Sequence, residues 1–246
     1  MNVANKADIA GLKDSGRAVR AAFNAMVAAT EAGITTLELD QIGAKVLKQH
    51  DAKSAPQLYY DFPGATCISL NEEAAHGIPG DRVVASGDMI NIDVSANCRG
   101  YVADMGQSFV VGEGTAEQLR ICDGVQKAVA AAMAQVRADR SLNVIGQAVQ
   151  KVADELGYTI VRNLGSHGVG RNIHEEPSYV PLDNPGERRM LTQGMVLTIE
   201  PFFSTGVEWV LEEDDGWTLT VPPGNLVAQF EHTLIVTDSA PLVVTE

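Results

Sequence analysis

The chain has 246 residues, 45% hydrophobic and 20% charged, with a formal net charge of −14. This is ordinary globular composition with enough chain for a sizeable core. The acidic balance argues against a general nucleic-acid or anionic-membrane binder, which would carry a basic stripe. Cys67, Cys98 and Cys122 form no C-x-x-C pair, which points to a reducing compartment. Neither a signal peptide nor an apolar run of about 18 residues is visible, so a cytoplasmic protein is the expectation.

From about Asp8 to Thr30 an Ala-rich stretch places Val19, Phe23, Met26 and Val27 at helical spacing, and Gly33 ends it. Thr35-Thr36-Leu37-Glu38 is a capping box that opens a second helix to about Gln49. The strand Met89 to Ser95 alternates: Asn91, Asp93 and Ser95 share one face, Ile90, Ile92 and Val94 the other. Thr115-Ala116-Glu117-Gln118 is a second capping box, predicting a long helix to about Ala138. A further helix follows from about Leu142 to Leu156, with Gly157 after it. Gly194-Met195-Val196-Leu197-Thr198-Ile199-Glu200 repeats the frame of Gly87-Asp88-Met89-Ile90-Asn91-Ile92-Asp93: a Gly, Ile at +5 and an acid at +6. The predicted strand Leu226 to Val236 sets Gln229, Glu231 and Thr233 opposite Ala228, Phe230 and Leu234. The chain thus reads as one domain, residues 1–246, of two related halves, about 8–110 and 115–236, with no Pro/Gly/Ser-rich linker between them.

Each of three strands therefore carries an acid on a polar face with apolar side chains behind. Any single one reads equally well as a solvent-facing strand residue. Three together with Asp104 suggest a shared pocket, where divalent cations are the simplest neutraliser. Of the five histidines, His50 reads as a helix-end residue and His232, opposite Glu231, as a structural one. His76, His167 and His174 fall in Gly-flanked turns that can aim a side chain into a cleft.

H-G-I-P at His76, N-I-D-V at Asp93, S-H-G-V-G-R-x-x-H-E-E-P from Ser166, T-I-E-P at Glu200 and A-Q-F-E-H-T at Glu231 together closely resemble the type I methionine aminopeptidases, in order and spacing, over about residues 8–240. The resemblance implies a pita-bread α/β (α+β) fold, a pseudo-two-fold repeat of a helix pair plus antiparallel strands. It also implies removal of the initiator methionine from nascent proteins, with small second residues preferred. By position, Asp93, Asp104, His167, Glu200 and Glu231 would hold two divalent ions drawn from Mn, Fe, Co or Zn. Asp104 and Glu231 would bridge them. Glu200 would move the proton from water to the leaving amine, while His76 and His174 would bind the peptide. Tyr59, Phe62, Cys67, Ile173 and Trp217 would join the two histidines in the substrate pocket. The implied partners are nascent polypeptide N-termini met transiently at the ribosome, with no nucleic acid and no membrane; the chain would act as a monomer.

Three single positions and one turn depart from the family pattern. Ser166 stands for the Gly before the ligand histidine, Met105 follows Asp104, and Ala75 replaces a common Cys. Tyr60-Asp61-Phe62-Pro63 replaces a His-Gly-aromatic-Pro turn. Two other readings compete. A prolidase or aminopeptidase P would usually carry a further N-terminal domain, for which a helix starting near residue 8 leaves no room. A non-catalytic pita-bread binding module would typically have lost ligands, and all five are present.

Overall fold

The computed structural model describes residues 1–246. Five helices cover the strands: α1 (Lys6–Ala29), α2 (Thr36–Gln49), α3 (Ala55–Tyr60), α4 (Ala116–Met133) and α5 (Asn143–Leu156). The first half contributes β1 (Ala52–Ser54), β2 (Cys67–Leu70), β3 (Glu73–Ala75), β4 (Met89–Cys98) and β5 (Tyr101–Val110). Next come β6 (Thr159–Ile160), β7 (Ser166–Gly168), β8 (Glu175–Tyr179), β9 (Val196–Ile199) and β10 (Phe202–Ser204). The last are β11 (Leu211–Glu212), β12 (Leu219–Thr220), β13 (Val227–Gln229), β14 (His232–Ile235) and β15 (Leu242–Val243).

Both capping boxes form. Thr35 accepts from the Glu38 N–H and Thr115 from the Gln118 N–H, and the acid or amide at the third position reaches back in each case. Such a cap stabilises a helix start by about 1 kcal/mol. Leu12, Val19, Phe23 and Met26 line the buried stripe of α1, each worth roughly 1.5–3 kcal/mol on burial. That stripe packs on β4 and β5, and with α2 it closes the first apolar core. A second core joins α4 and α5 to β9, β10 and β14 through Val125, Val129, Ile145, Leu197 and Phe203. The acids of the two matching frames follow glycines in the same left-handed conformation, Gly87 at φ 92° and Gly194 at φ 81°.

In the first half β4 pairs antiparallel with β1 and β2 on one edge and with β5 on the other, in unbroken register from Met89↔Val110 to Cys98↔Tyr101. In the second half the order is β15-β14-β9-β7-β8, with β13-β10-β6 as a separate sheet.

Three expectations need correction. The segment Leu226 to Val236 is not one strand: β13 pairs with β10 and β14 with β9. Between them the chain changes sheets at Phe230-Glu231, where the Glu231 N–H donates to Gly106 O at 2.8 Å. The fourth helix ends at Met133, not near Ala138, because the next residues leave the helix to reach neighbours. The Ala138 N–H donates to Thr237 O and the Asp139 N–H to Leu191 O. Finally, His167 lies in strand β7 rather than in a turn.

Candidate active site

The polar face of the β4–β5 hairpin supplies the floor. Register pairs Asn91 with Ser108, Asp93 with Gly106 and Ser95 with Asp104. Asn91 Nδ2 donates to Ser108 Oγ at 3.1 Å and to Gln229 Oε1 at 2.8 Å. Gln229 fits there because residue 106 is glycine: a Cβ on Gly106 would meet Gln229 Oε1 at 2.3 Å. The amide so held turns its Nε2 to Glu231 Oε2 at 3.1 Å and Glu200 Oε2 at 3.4 Å. Asp104 is fixed through its backbone: its N–H donates to Thr233 Oγ1, which in turn donates to Asp104 O.

The second half brings His167, Glu200 and Glu231. The His167 N–H donates to Thr198 Oγ1, and the same hydroxyl donates to Glu200 Oε1 at 2.9 Å. The Glu200 N–H donates to Ser166 Oγ at 3.0 Å. The serine that departs from the family pattern thus satisfies the backbone of a neighbouring acid. His167 Nδ1 donates to Gly168 O, which leaves Nε2 facing Glu200 Oε1 at 3.2 Å and Asp104 Oδ2 at 3.9 Å.

No lysine or arginine lines this cavity. Burial pushes the carboxyls of Asp104 and Glu231 well above the usual range, and their acidic neighbours push the same way. Burial and the Glu200 charge raise Asp93 to about 7. Burial works against a charge on His167, but the Glu200 carboxylate beside it outweighs this and holds its pKa up. Burial lowers His76 and takes His174 down to about 4, so both are neutral at pH 7.

The donor set fits divalent cations. Asp104, His167 and Glu231 each offer a ligand atom within 4.8 Å of the others. Asp104 Oδ1 and Glu231 Oε1 are buried with no hydrogen-bond partner. Orphaned acceptors of this kind are costly unless something positive meets them. Asp93 adjoins Asp104 across the hairpin, and Glu200 joins through His167.

Above the acids lies a cavity of about 300 Å³ lined by Tyr60, Phe62, Cys67, Ile173 and Trp217 together with His76 and His174. Phe62 and Trp217 meet edge to face at 5.2 Å. A second cavity of about 530 Å³ continues past His76, His174 and Glu200 to Asn163, Glu176 and Ser178. His76 follows β3 in the left-handed region, at φ 55°. A non-glycine residue held there marks a side chain aimed at some cost in backbone energy. His174 precedes β8 and sets its ring edge-on to His167 at 4.4 Å.

Tyr59 does not line the cavity. Its hydroxyl donates to Arg171 O and accepts from Asn97 Nδ2. Tyr60 takes the place, because these residues end helix α3, where one position turns a side chain by about 100°. Short helix α3 has no periodic signal long enough to reveal this from sequence. His232 lies outside the site, with Nδ1 on Thr245 Oγ1, and His50 is the exposed C-cap of α2.

The model of metallopeptidase family M24 matches residues 10–238 of the chain. The chain is 41% identical over 248 aligned positions to methionine aminopeptidase 2 of Bacillus subtilis, covering all of both chains. It is 34% identical to the methionine aminopeptidase of Escherichia coli K12 over 97% of this chain and 91% of that one. Among solved structures, methionine aminopeptidase from Thermotoga maritima superposes with a TM-score of 0.96 at 29% identity, covering both chains fully. Prolidase from Pyrococcus furiosus shares the fold, with a TM-score of 0.79 at 22% identity over 99% of this chain and 65% of that one.

Proposed function

We propose, from the premise that this chain belongs to metallopeptidase family M24, that it is a type I methionine aminopeptidase: a pita-bread metallo-exopeptidase that removes the N-terminal methionine of peptides and new proteins. One observation carries the reading. Asp104, which has an orphaned buried oxygen, lines together with Asp93 and Glu200 the same cavity as a Cys sulfur and two edge-packed aromatics.

The apolar cavity suits an unbranched thioether, which makes favourable contacts with ring edges and sulfur. With the methionine side chain there, its α-amine lies at the acidic end and the remaining peptide leaves along the larger cavity. That geometry supports cleavage after one residue. Asp93, Asp104, His167, Glu200 and Glu231 would hold divalent cations, which would supply Lewis-acid activation and balance the buried negative charge. Glu200, oriented by the Thr198 hydroxyl and the Gln229 amide, takes a proton from the attacking water and returns it to the leaving amine. Neutral His76 and His174 offer hydrogen bonds to the peptide carbonyl as it becomes tetrahedral.

Two ions rather than one suit four carboxylates and one imidazole, and the oxygen-rich set favours Mn, Fe or Co over Zn. The substrates are the N-termini of nascent chains, met in the cytoplasm near the ribosome by a monomer. The matching frames at Gly87 and Gly194 support one catalytic domain of two related halves. No helix is long and apolar enough to cross a membrane.

The test is a rate comparison of metal-loaded protein on Met-Ala-Ser, Met-Leu-Ser and Ala-Pro peptides. Met-Ala-Ser is expected to be cleaved much the fastest. Faster cleavage of Ala-Pro would make the chain a proline-directed peptidase.

A further inference from the structure

Helix α3 begins with Ser54 capping the Gln57 N–H and ends at Tyr60, where Asp61 takes the left-handed conformation at φ 56°. That turn sends Phe62 inward to the cavity and leaves Tyr60 at its mouth, 44% exposed. The Tyr60 hydroxyl oxygen lies 2.6 Å from His174 Nδ1, with the rings 5.4 Å apart. No other protein group bonds this hydroxyl, so Nδ1 is the one protein acceptor for its proton. A neutral imidazole carries one donor and one acceptor nitrogen, and the partner of one decides the role of the other. An acceptor Nδ1 places the ring proton on Nε2, the nitrogen left to face the cavity. The opposite polarity would make Nε2 an acceptor, unable to stabilise a developing oxyanion.

We propose that Tyr60 is a positioning residue: its hydroxyl donates to His174 Nδ1 and so holds His174 as the Nε2–H tautomer that donates to the scissile carbonyl. The proposal rests on the reading of His174 as a carbonyl-binding group. It also gives a purpose to the Tyr60-Asp61-Phe62-Pro63 segment, which departs from the family turn.

The experiment uses zinc-loaded, diamagnetic protein with ¹⁵N-labelled histidines, His174 being assigned by its loss in His174→Ala. In the wild type, the His174 nitrogens are expected as protonated Nε2 and bare Nδ1. In Tyr60→Phe they are expected to move towards tautomer averages. Tyr60 is half exposed, so the variant keeps its fold, checked by an unchanged Tm. On Met-Ala-Ser, Tyr60→Phe is expected to lower kcat by between about 3- and 10-fold, the size of one neutral hydrogen bond, with KM little changed. It should cost nothing further in a His174→Ala background. A wild-type ring protonated on Nδ1, or an additive loss in the double variant, would overturn the proposal alone. Full turnover in His174→Ala would instead overturn the role of His174 on which it rests.

Discussion

The two halves hold their functional side chains in different ways. Asp93 and Asp104 sit within a hairpin of two ten-residue strands, and backbone register sets them on one face, with the Thr233 hydroxyl bonding the Asp104 backbone from the other half. His167 sits in a three-residue strand, Glu200 just past a four-residue one, and Glu231 just before another. There the ladder is incomplete, and the hydroxyls of Ser166 and Thr198 take up the backbone N–H groups of Glu200 and His167 that a regular sheet would pair. A hairpin gives rigidity at low cost in sequence. Strand ends give freedom of direction, but each side chain then needs its own support, as supporting partners of metal ligands generally do.

The largest effect should come where the second half meets the chemistry. Glu200→Gln keeps the shape and the Thr198 contact but removes the proton carrier, and should lower kcat by about 10²- to 10⁴-fold. Near wild-type turnover in a sample of verified metal content would remove Glu200 from that role.

A matched pair of variants separates the two halves. Thr198→Val removes one hydroxyl that serves both His167 and Glu200, and should cost roughly 10- to 100-fold in metal affinity or activity. Ser95→Ala removes a buried hydroxyl from the hairpin face beside Asp104. There backbone pairing persists, so a much smaller loss is expected. Equal losses, read by metal titration, would erase the distinction between the halves.

Gly106→Ala probes the seam. Its Cβ would collide with the Gln229 amide that reaches Glu200 and Glu231. Overpacking there should cost about 1–3 kcal/mol of stability, read by denaturant unfolding, along with weaker metal binding. An unchanged unfolding midpoint would show that Gln229 is free to move.

A smaller effect concerns pH. The Asp93 carboxyl is raised to about 7 by burial and by Glu200. An unfolded chain releases this proton near pH 4, so between there and about 7 the folded state binds more protons than the unfolded one. The metal-free protein should therefore lose stability as pH rises through that window. Asp104 and Glu231, raised for the same reason, act in the same direction. A bound cation opposes the trend, so the Tm gap between metal-loaded and chelated protein should be wider at pH 8 than at pH 5.5. A gap that narrows would contradict the carboxylate origin of the cost.

What could be read from sequence follows the same division. The capping boxes at Thr35 and Thr115 are local, and the alternation that sets Asn91, Asp93 and Ser95 together needs only one strand. The break at Phe230-Glu231 is set by pairing with Gly106, distant in sequence, and no local pattern announces it. The exchange of Tyr59 for Tyr60 has a similar origin. A six-residue helix ends where the Tyr60-Asp61-Phe62-Pro63 turn begins, and the rotation of a single residue decides which ring faces the cavity. The four acids and one histidine of the cluster are picked out by the resemblance, and all but Asp104 lie within its contiguous motifs. Their supports, Gln229 on Gly106 and Thr233 on Asp104, join segments more than a hundred residues apart.

A metal centre at the buried acids, on which peptide cleavage depends, has a direct consequence: the chelated protein is inactive. The most direct measurement is turnover of Met-Ala-Ser by chelated protein before and after adding Mn, Fe, Co or Zn, with bound metal counted in the same samples. No turnover is expected after chelation, with recovery in step with metal bound per chain. Undiminished cleavage by metal-free protein, or no binding of any of these ions, would contradict it.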